Sequence, residues 1–243
     1  MNLKGIEAVI FDLGGTLHRP ALDLVGTSCQ YLAECGITEY SRQEVEEAVR
    51  RGKEEWLNQY MMENNVGSRW QPSREVWVQH DRYLLEILGV KENCDQLAEA
   101  YQEKWDIFLR DFTYSSIGVC KPVLQELHKR GYKLAIASNR VDNPIPSLER
   151  DGILDLFDTV EYTMVPGYVK PSPYMLLKVS SELGVNPRRC VYVGNIVHYD
   201  VVAAQRAEMT PILITWCDPD EIDKAPKGTI IIDHITGLLD ILQ

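Results

Sequence analysis

Six short runs of mainly apolar and β-branched residues, each followed by a polar residue or a glycine, constrain the fold of this chain more than any other feature. They are Ala8 to Phe11, Lys133 to Ala137, Thr159 to Tyr162, Cys190 to Val193, Pro211 to Ile214 and Thr229 to Ile232. A strand covered on one face alternates apolar with polar residues, whereas a strand covered on both is apolar almost throughout. Helix-length segments lie between several runs; Lys121 to Lys129 is stopped by Gly131, and Pro173 to Leu183 by Gly184. Strands alternating with helices in this way predict an α/β fold with a doubly wound, Rossmann-like parallel sheet.

Open parallel sheets bind ligands beyond the carboxyl ends of their strands. The residues expected there are Asp12 with the turn Leu13-Gly14-Gly15-Thr16, then Ser138 and Asn139, then the segment leading to Lys170, then Asn195 and Asp200. From about Leu22 to Trp105 the strand runs stop, and apolar residues recur at helical spacing, as in Trp56, Tyr60 and Met61 or Tyr83, Leu84, Ile87 and Leu88. The expected organisation is a core of residues 1–17 and 114–243 interrupted by a helical domain over 18–113.

Composition excludes some functions. With 243 residues, 45% of them hydrophobic, the chain can bury a full core. Its net charge of -11 argues against affinity for a nucleic-acid backbone, so a small anionic ligand would need local positive charge. The six cysteines show no CxxC pair and no zinc spacing, and read as free thiols. No signal peptide is visible, and no apolar stretch approaches the roughly 20 residues that span a bilayer. The expectation is a cytoplasmic protein with no membrane partner.

Taken in order, Phe11-Asp12-Leu13-Gly14-Gly15-Thr16-Leu17, Ala137-Ser138-Asn139, Val169-Lys170-Pro171-Ser172-Pro173 and Val193-Gly194-Asn195-Ile196-Val197-His198-Tyr199-Asp200 resemble the four signature segments of the haloacid dehalogenase-like hydrolase superfamily. The resemblance covers nearly the whole chain and implies a phosphatase-type site, with the helical insertion as a small α-helical cap. It casts Asp12, Ser138 and Lys170 as catalytic: a carboxylate that attacks phosphorus, and a hydroxyl and an ammonium that stabilise the transferring group. Gly15, Thr16 and Asn139 are expected to contact substrate. A magnesium ion is expected on Asp12, the Gly14 backbone carbonyl, Asn195 and Asp200, and the expected partner is a small phosphorylated metabolite. The cap would hinge near Leu17 to Leu22 and Phe112 to Ser116.

Two positions depart from the superfamily pattern. Its phosphatases carry a second aspartate where this chain has Gly14, which can neither protonate a leaving group nor activate water. Such acid–base help is worth about a hundred- to ten-thousand-fold in rate. Where they carry a metal-binding aspartate this chain has Asn195, a neutral oxygen ligand for a hard cation. The expected function is therefore a phosphatase-type hydrolase of reduced competence. The alternatives are a catalytically inert binding or regulatory member and a metal-independent dehalogenase. His18 is a candidate replacement for the missing acid. His198 is expected to be an exposed bystander, and Trp56, Trp70, Trp77 and Trp105 to pack the helices of the insertion.

Overall fold

The computed structural model describes residues 3–19, 23–111 and 116–242. The expected hinges fall largely on residues 20–22 and 112–115, outside the described residues. The chain divides into two compact units, Met1–Ala21 with Thr113–Gln243 and, inserted between them, Leu22–Phe112.

The first unit is built on a six-stranded parallel sheet. Its strands are β1 (Ala8–Phe11), β2 (Lys133–Asn139), β3 (Thr159–Thr163), β4 (Cys190–Gly194), β5 (Thr210–Ile214) and β6 (Ile230–Ile232), in spatial order β3-β2-β1-β4-β5-β6. β1 lies between β2 and β4, where the order reverses. That reversal opens the crevice in which doubly wound sheets hold ligands, and Asp12 stands at its centre.

The helices of the insertion are α1 (Leu24–Glu34), α2 (Arg42–Arg51), α3 (Asn58–Glu63), α4 (Arg74–Ile87) and α5 (Cys94–Asp111), with a π-helical turn at Gly52–Leu57. Leu32, Val45, Ala48, Leu84, Leu85, Leu88, Ala98 and Tyr101 form its core. Ser41 and Glu44 close a capping box at the start of α2, which satisfies two backbone N–H groups that the first turn leaves unpaired. Trp56, Tyr60, Trp70, Trp77 and His80 form a chain of ring contacts, and Trp105 packs edge-on to Tyr31 and Tyr101.

In the sheet unit α6 (Ile117–Lys129), α7 (Ile145–Arg150), α8 (Tyr174–Leu183), α9 (Val202–Arg206) and α10 (Leu238–Ile241) follow in chain order. Successive strand residues point to opposite faces, and both faces are covered. Val9, Phe11, Leu134, Ile136, Val191 and Val193 pack with Val123, Leu124 and Leu127 of α6. Ala8, Ile10, Ala135, Ala137 and Tyr192 pack with Met175, Leu176 and Val179 of α8 and Ala203 and Ala204 of α9. Helix α8 ends where Gly184 adopts φ 65°, the left-handed stop that its glycine predicts. Among the described residues no helix is long and apolar enough to cross a membrane.

Candidate active site

Asp12 leaves β1 with its backbone N–H still donating to the Val193 carbonyl at 2.9 Å, so the sheet itself fixes where its carboxylate begins. The side chain is buried, and its Oδ1 lies 2.7 Å from Lys170 Nζ. The same ammonium donates to Asp200 Oδ1 at 2.7 Å and to the Tyr192 hydroxyl at 2.6 Å. A lysine ammonium has three N–H donors, so these three contacts saturate it. Asp12 Oδ2, by contrast, takes no hydrogen bond from the described residues.

The lysine is held at both ends. Asn139 donates from Nδ2 to the Lys170 carbonyl at 3.0 Å and accepts the Lys170 N–H on Oδ1 at 2.8 Å, tying its segment to the tip of β2. Both polar ends of Asn139 are thus engaged with backbone. A primary amide matches the paired donor and acceptor of one residue, so Asn139 clamps the backbone of Lys170. Ser138, the residue before it, is buried at the same strand end; β1–β2 pairing sets Phe11 beside Ile136, two residues earlier.

Asp200 closes the cluster. Besides Lys170, its Oδ1 faces the Tyr192 hydroxyl at 3.3 Å, and its Oδ2 accepts the Ile196 N–H at 2.9 Å. A Cβ on Gly194 would lie 2.3 Å from Asp200 Cγ, which accounts for glycine there. Both Asp200 oxygens are engaged, Oδ1 with Lys170 as its counter-ion and Oδ2 with the Ile196 N–H. Tyr192, which apolar strand reading passed over, donates to the Ala137 carbonyl at 2.7 Å and so joins β4, β2 and the lysine.

Two carboxylates and one ammonium give the buried cluster a formal charge of one negative unit. Burial by itself pulls the Lys170 ammonium down, but the Asp12 and Asp200 charges outweigh it and hold its pKa above the ordinary value. Burial, then the Asp200 and Asp12 charges, push the Tyr192 phenol well above its usual range and keep it a neutral donor. Burial and the like charge of Asp12 raise the Asp200 carboxyl against the opposing pull of Lys170.

The turn after Asp12 is bonded to itself. Thr16, Leu17 and His18 all donate backbone N–H groups to the Leu13 carbonyl, and Gly15 N–H donates to the His18 carbonyl at 2.9 Å. Thr16 Oγ1 donates to Asn195 Oδ1 at 3.2 Å. Gly15 and Thr16, expected to contact substrate, therefore direct those donors into the protein. At Gly15, φ is +75° and a Cβ would lie 2.3 Å from Asn195 Nδ2, so a glycine is required twice over. At Gly14 a Cβ would meet nothing within 4 Å.

Asn195 donates from Nδ2 to Asp218 Oδ2 at 2.6 Å, a residue from the segment after β5 that sequence reading passed over. His18 is buried, with Nε2 3.6 Å from Asp151 Oδ2, and burial lowers its pKa despite that carboxylate. It lies inside the fold, where burial disfavours its protonation. His198 is exposed beside Tyr199.

A family model described as "Hydrolase: haloacid dehalogenase-like hydrolase" matches residues 6–208. The chain belongs to the haloacid dehalogenase-like hydrolases. Its relatives in this family include the pyrophosphatase PpaX of Bacillus cereus, 24% identical over 240 residues and covering 98% of this chain and 97% of that protein. A glyceraldehyde 3-phosphate phosphatase of Methanothermobacter thermautotrophicus is 32% identical over 124 residues, 49% of this chain and 55% of that one, so the match spans about half of its length. Among solved structures, a 2-haloacid dehalogenase from Pseudomonas syringae pv. Tomato superposes with a TM-score of 0.66 at 22% identity, covering 97% of each chain. That likeness bears on the fold alone.

Haloacid dehalogenase-like phosphatases generally use magnesium, and the donor set here accommodates it only weakly. Among the described residues Asp12 Oδ2 takes no hydrogen bond, a Cβ at Gly14 would meet nothing within 4 Å, and Asn195 Oδ1 accepts from Thr16 of the β1 turn. The buried cluster, negative by one unit, favours a cation. Against this, Asp200 is taken by the lysine, and among the described residues no group of three or more His, Cys, Asp or Glu side chains is arranged to hold a metal. The residues fit a hard cation that keeps much of its water shell.

Proposed function

We propose that this chain is a phosphatase-type hydrolase acting on a small phosphorylated metabolite, with Asp12 as nucleophile and with weakened acid–base and metal positions. The observation that carries this reading is the asymmetry of Asp12: one oxygen fixed by Lys170, the other without a hydrogen bond from the described residues. Lys170 holds the carboxylate in place through its Oδ1 and so aims it. Oδ2 attacks phosphorus, the bond from phosphorus to the leaving oxygen breaks, and that oxygen carries away the electron pair.

Gly14 offers that oxygen no proton, so the substrate must leave as a stable anion, as an acyl or aryl phosphate does. Water then attacks phosphorus, the Asp12–phosphorus bond breaks, and the carboxylate returns. With no base at position 14 this second step is slow. Asp12 Oδ2, the Gly14 carbonyl and Asn195 would hold magnesium, which when bound offsets repulsion between carboxylate and phosphate. The insertion over Leu22–Phe112 is proposed as the cap that selects substrate.

The test is turnover of p-nitrophenyl phosphate and acetyl phosphate with magnesium, against an Asp12→Asn control. Equal rates in the two proteins reject the reading.

A second reading, an inert member that binds a metabolite or protein, is favoured by one observation. Lys170 has no N–H left for a phosphoryl oxygen, and the cluster beside it is already negative. Under this reading Gly14→Asp with Asn195→Asp, made together with Asp218→Asn because Asp218 Oδ2 lies 2.6 Å from the Asn195 amide, creates magnesium-dependent activity absent from the parent.

A further inference from the structure

The charge that Asn195 lacks is present one hydrogen bond away. Asp218 follows β5 and precedes the 3-10 turn Pro219–Lys224, yet its carboxylate makes no capping bond to that turn. It points to Asn195 Nδ2 at 2.6 Å. A carboxylate only accepts hydrogen bonds, so it selects the amide's NH2 end and leaves Oδ1 as the acceptor, which takes the hydroxyl of Thr16 in the turn after Asp12. An amide free to flip would present a donor to a cation half the time. One whose NH2 faces an anion presents its oxygen, with that oxygen made more negative by polarisation.

We infer that Asp218 is a positioning residue for the divalent cation proposed above: it orients Asn195 as an oxygen ligand and returns from the segment after β5 the negative charge that the tip of β4 lacks. The inference rests on the reading of a magnesium-assisted site. Partners that orient metal ligands in this way typically change affinity by about ten- to a hundredfold when removed. The arrangement has a corollary: Asn195→Asp alone would set two carboxylates against each other across the 2.6 Å contact. Restoring the superfamily residue at 195 therefore requires relieving 218 as well.

The experiment measures ion binding, not turnover. The full chain is titrated with Mn2+ while the electron paramagnetic resonance signal of the free ion is followed, and Mg2+ is added as competitor. The proteins are the parent, Asp218→Asn, and the exchanged pair Asn195→Asp with Asp218→Asn, which keeps an acid–amide contact but swaps its ends. The expected result is weaker binding by about tenfold or more in Asp218→Asn, and recovery to at least the parent's affinity in the exchanged pair, with unchanged circular dichroism. Parent-like affinity in Asp218→Asn, an exchanged pair weaker than the parent, or a parent that binds no Mn2+ at millimolar concentration overturns the inference. Should Asp218→Asn fail to fold, the exchanged pair decides alone. Turnover of acetyl phosphate, measured separately, tests the hydrolase reading: a parent that binds the ion through Asp218 but turns nothing over sinks that reading and leaves this one standing.

Discussion

Tyr192 and Lys170 meet through a 2.6 Å hydrogen bond in the interior of the sheet unit, and the same phenol donates to the Ala137 carbonyl. Tyr192→Phe keeps the ring and removes both contacts, leaving one N–H of the Lys170 ammonium without its acceptor. The expected loss of stability is about 1–3 kcal/mol, read by urea denaturation. A smaller change would mean that the phenol is incidental to the lysine's placement.

Lys170 is the only positive charge between Asp12 and Asp200 in the cluster described. Lys170→Met leaves two buried carboxylates facing each other, and breaking a buried pair from one side costs about 3–5 kcal/mol. The loss should shrink at pH 4 relative to pH 8, since protonation relieves the repulsion. A loss independent of pH would show that the side chain's bulk, and not its charge, matters.

Burial lowers the pKa of His18, so the folded state resists protonating it more than the unfolded state does. Between the unfolded value, about 6.5, and the lower folded value, the unfolded chain binds more protons and stability rises with pH. His18 therefore contributes nothing unfavourable above about pH 7 and destabilises progressively on acidification below it. His18→Gln should flatten the stability profile in that window, as followed by denaturation midpoints from pH 7.5 to 5. An unchanged slope would contradict the assignment of His18 as a buried imidazole whose protonation the fold disfavours.

Gly14 has no positive φ and open space where a side chain would begin. Gly14→Asp should fold with a stability change within about 1 kcal/mol. Under the hydrolase reading it should raise turnover of alkyl phosphates by up to about a hundred- to ten-thousand-fold, with little effect on acetyl phosphate, whose leaving group needs no proton. A gain of equal size on both substrates would show that the new carboxylate acts through something other than leaving-group protonation.

The strands were legible because a parallel sheet covered on both faces leaves its composition in the sequence as apolar runs. The structure extends Lys133 to Ala137 through Asn139, and the helix read from Lys121 begins at Ile117 with Pro122 inside it. Asp12, Lys170 and Asp200 converge because the segments that follow β1, β3 and β4 all leave from one edge of the parallel sheet. What each does there was less legible. The metal role that the family resemblance implies for Asp200 cannot be weighed from spacing, which says nothing about which neighbour claims a carboxylate. Tyr192 was concealed by its own strand, since an aromatic ring in an apolar run reads as packing and the hydroxyl at its end does not register. Asp218 sits in Asp-Pro-Asp, a turn signature, and only its three-dimensional contact with Asn195 separates it from an ordinary turn residue.

The central claim is that Asp12 Oδ2 attacks phosphorus. Its most direct test is acid-quenched incubation of the parent with acetyl phosphate and magnesium, followed by peptide mass spectrometry. The account predicts a phosphoryl group on the peptide containing Asp12, accumulating because water is poorly activated in the second step, and absent from Asp12→Asn. No phosphorylated peptide, together with turnover no greater than that of Asp12→Asn, would contradict it.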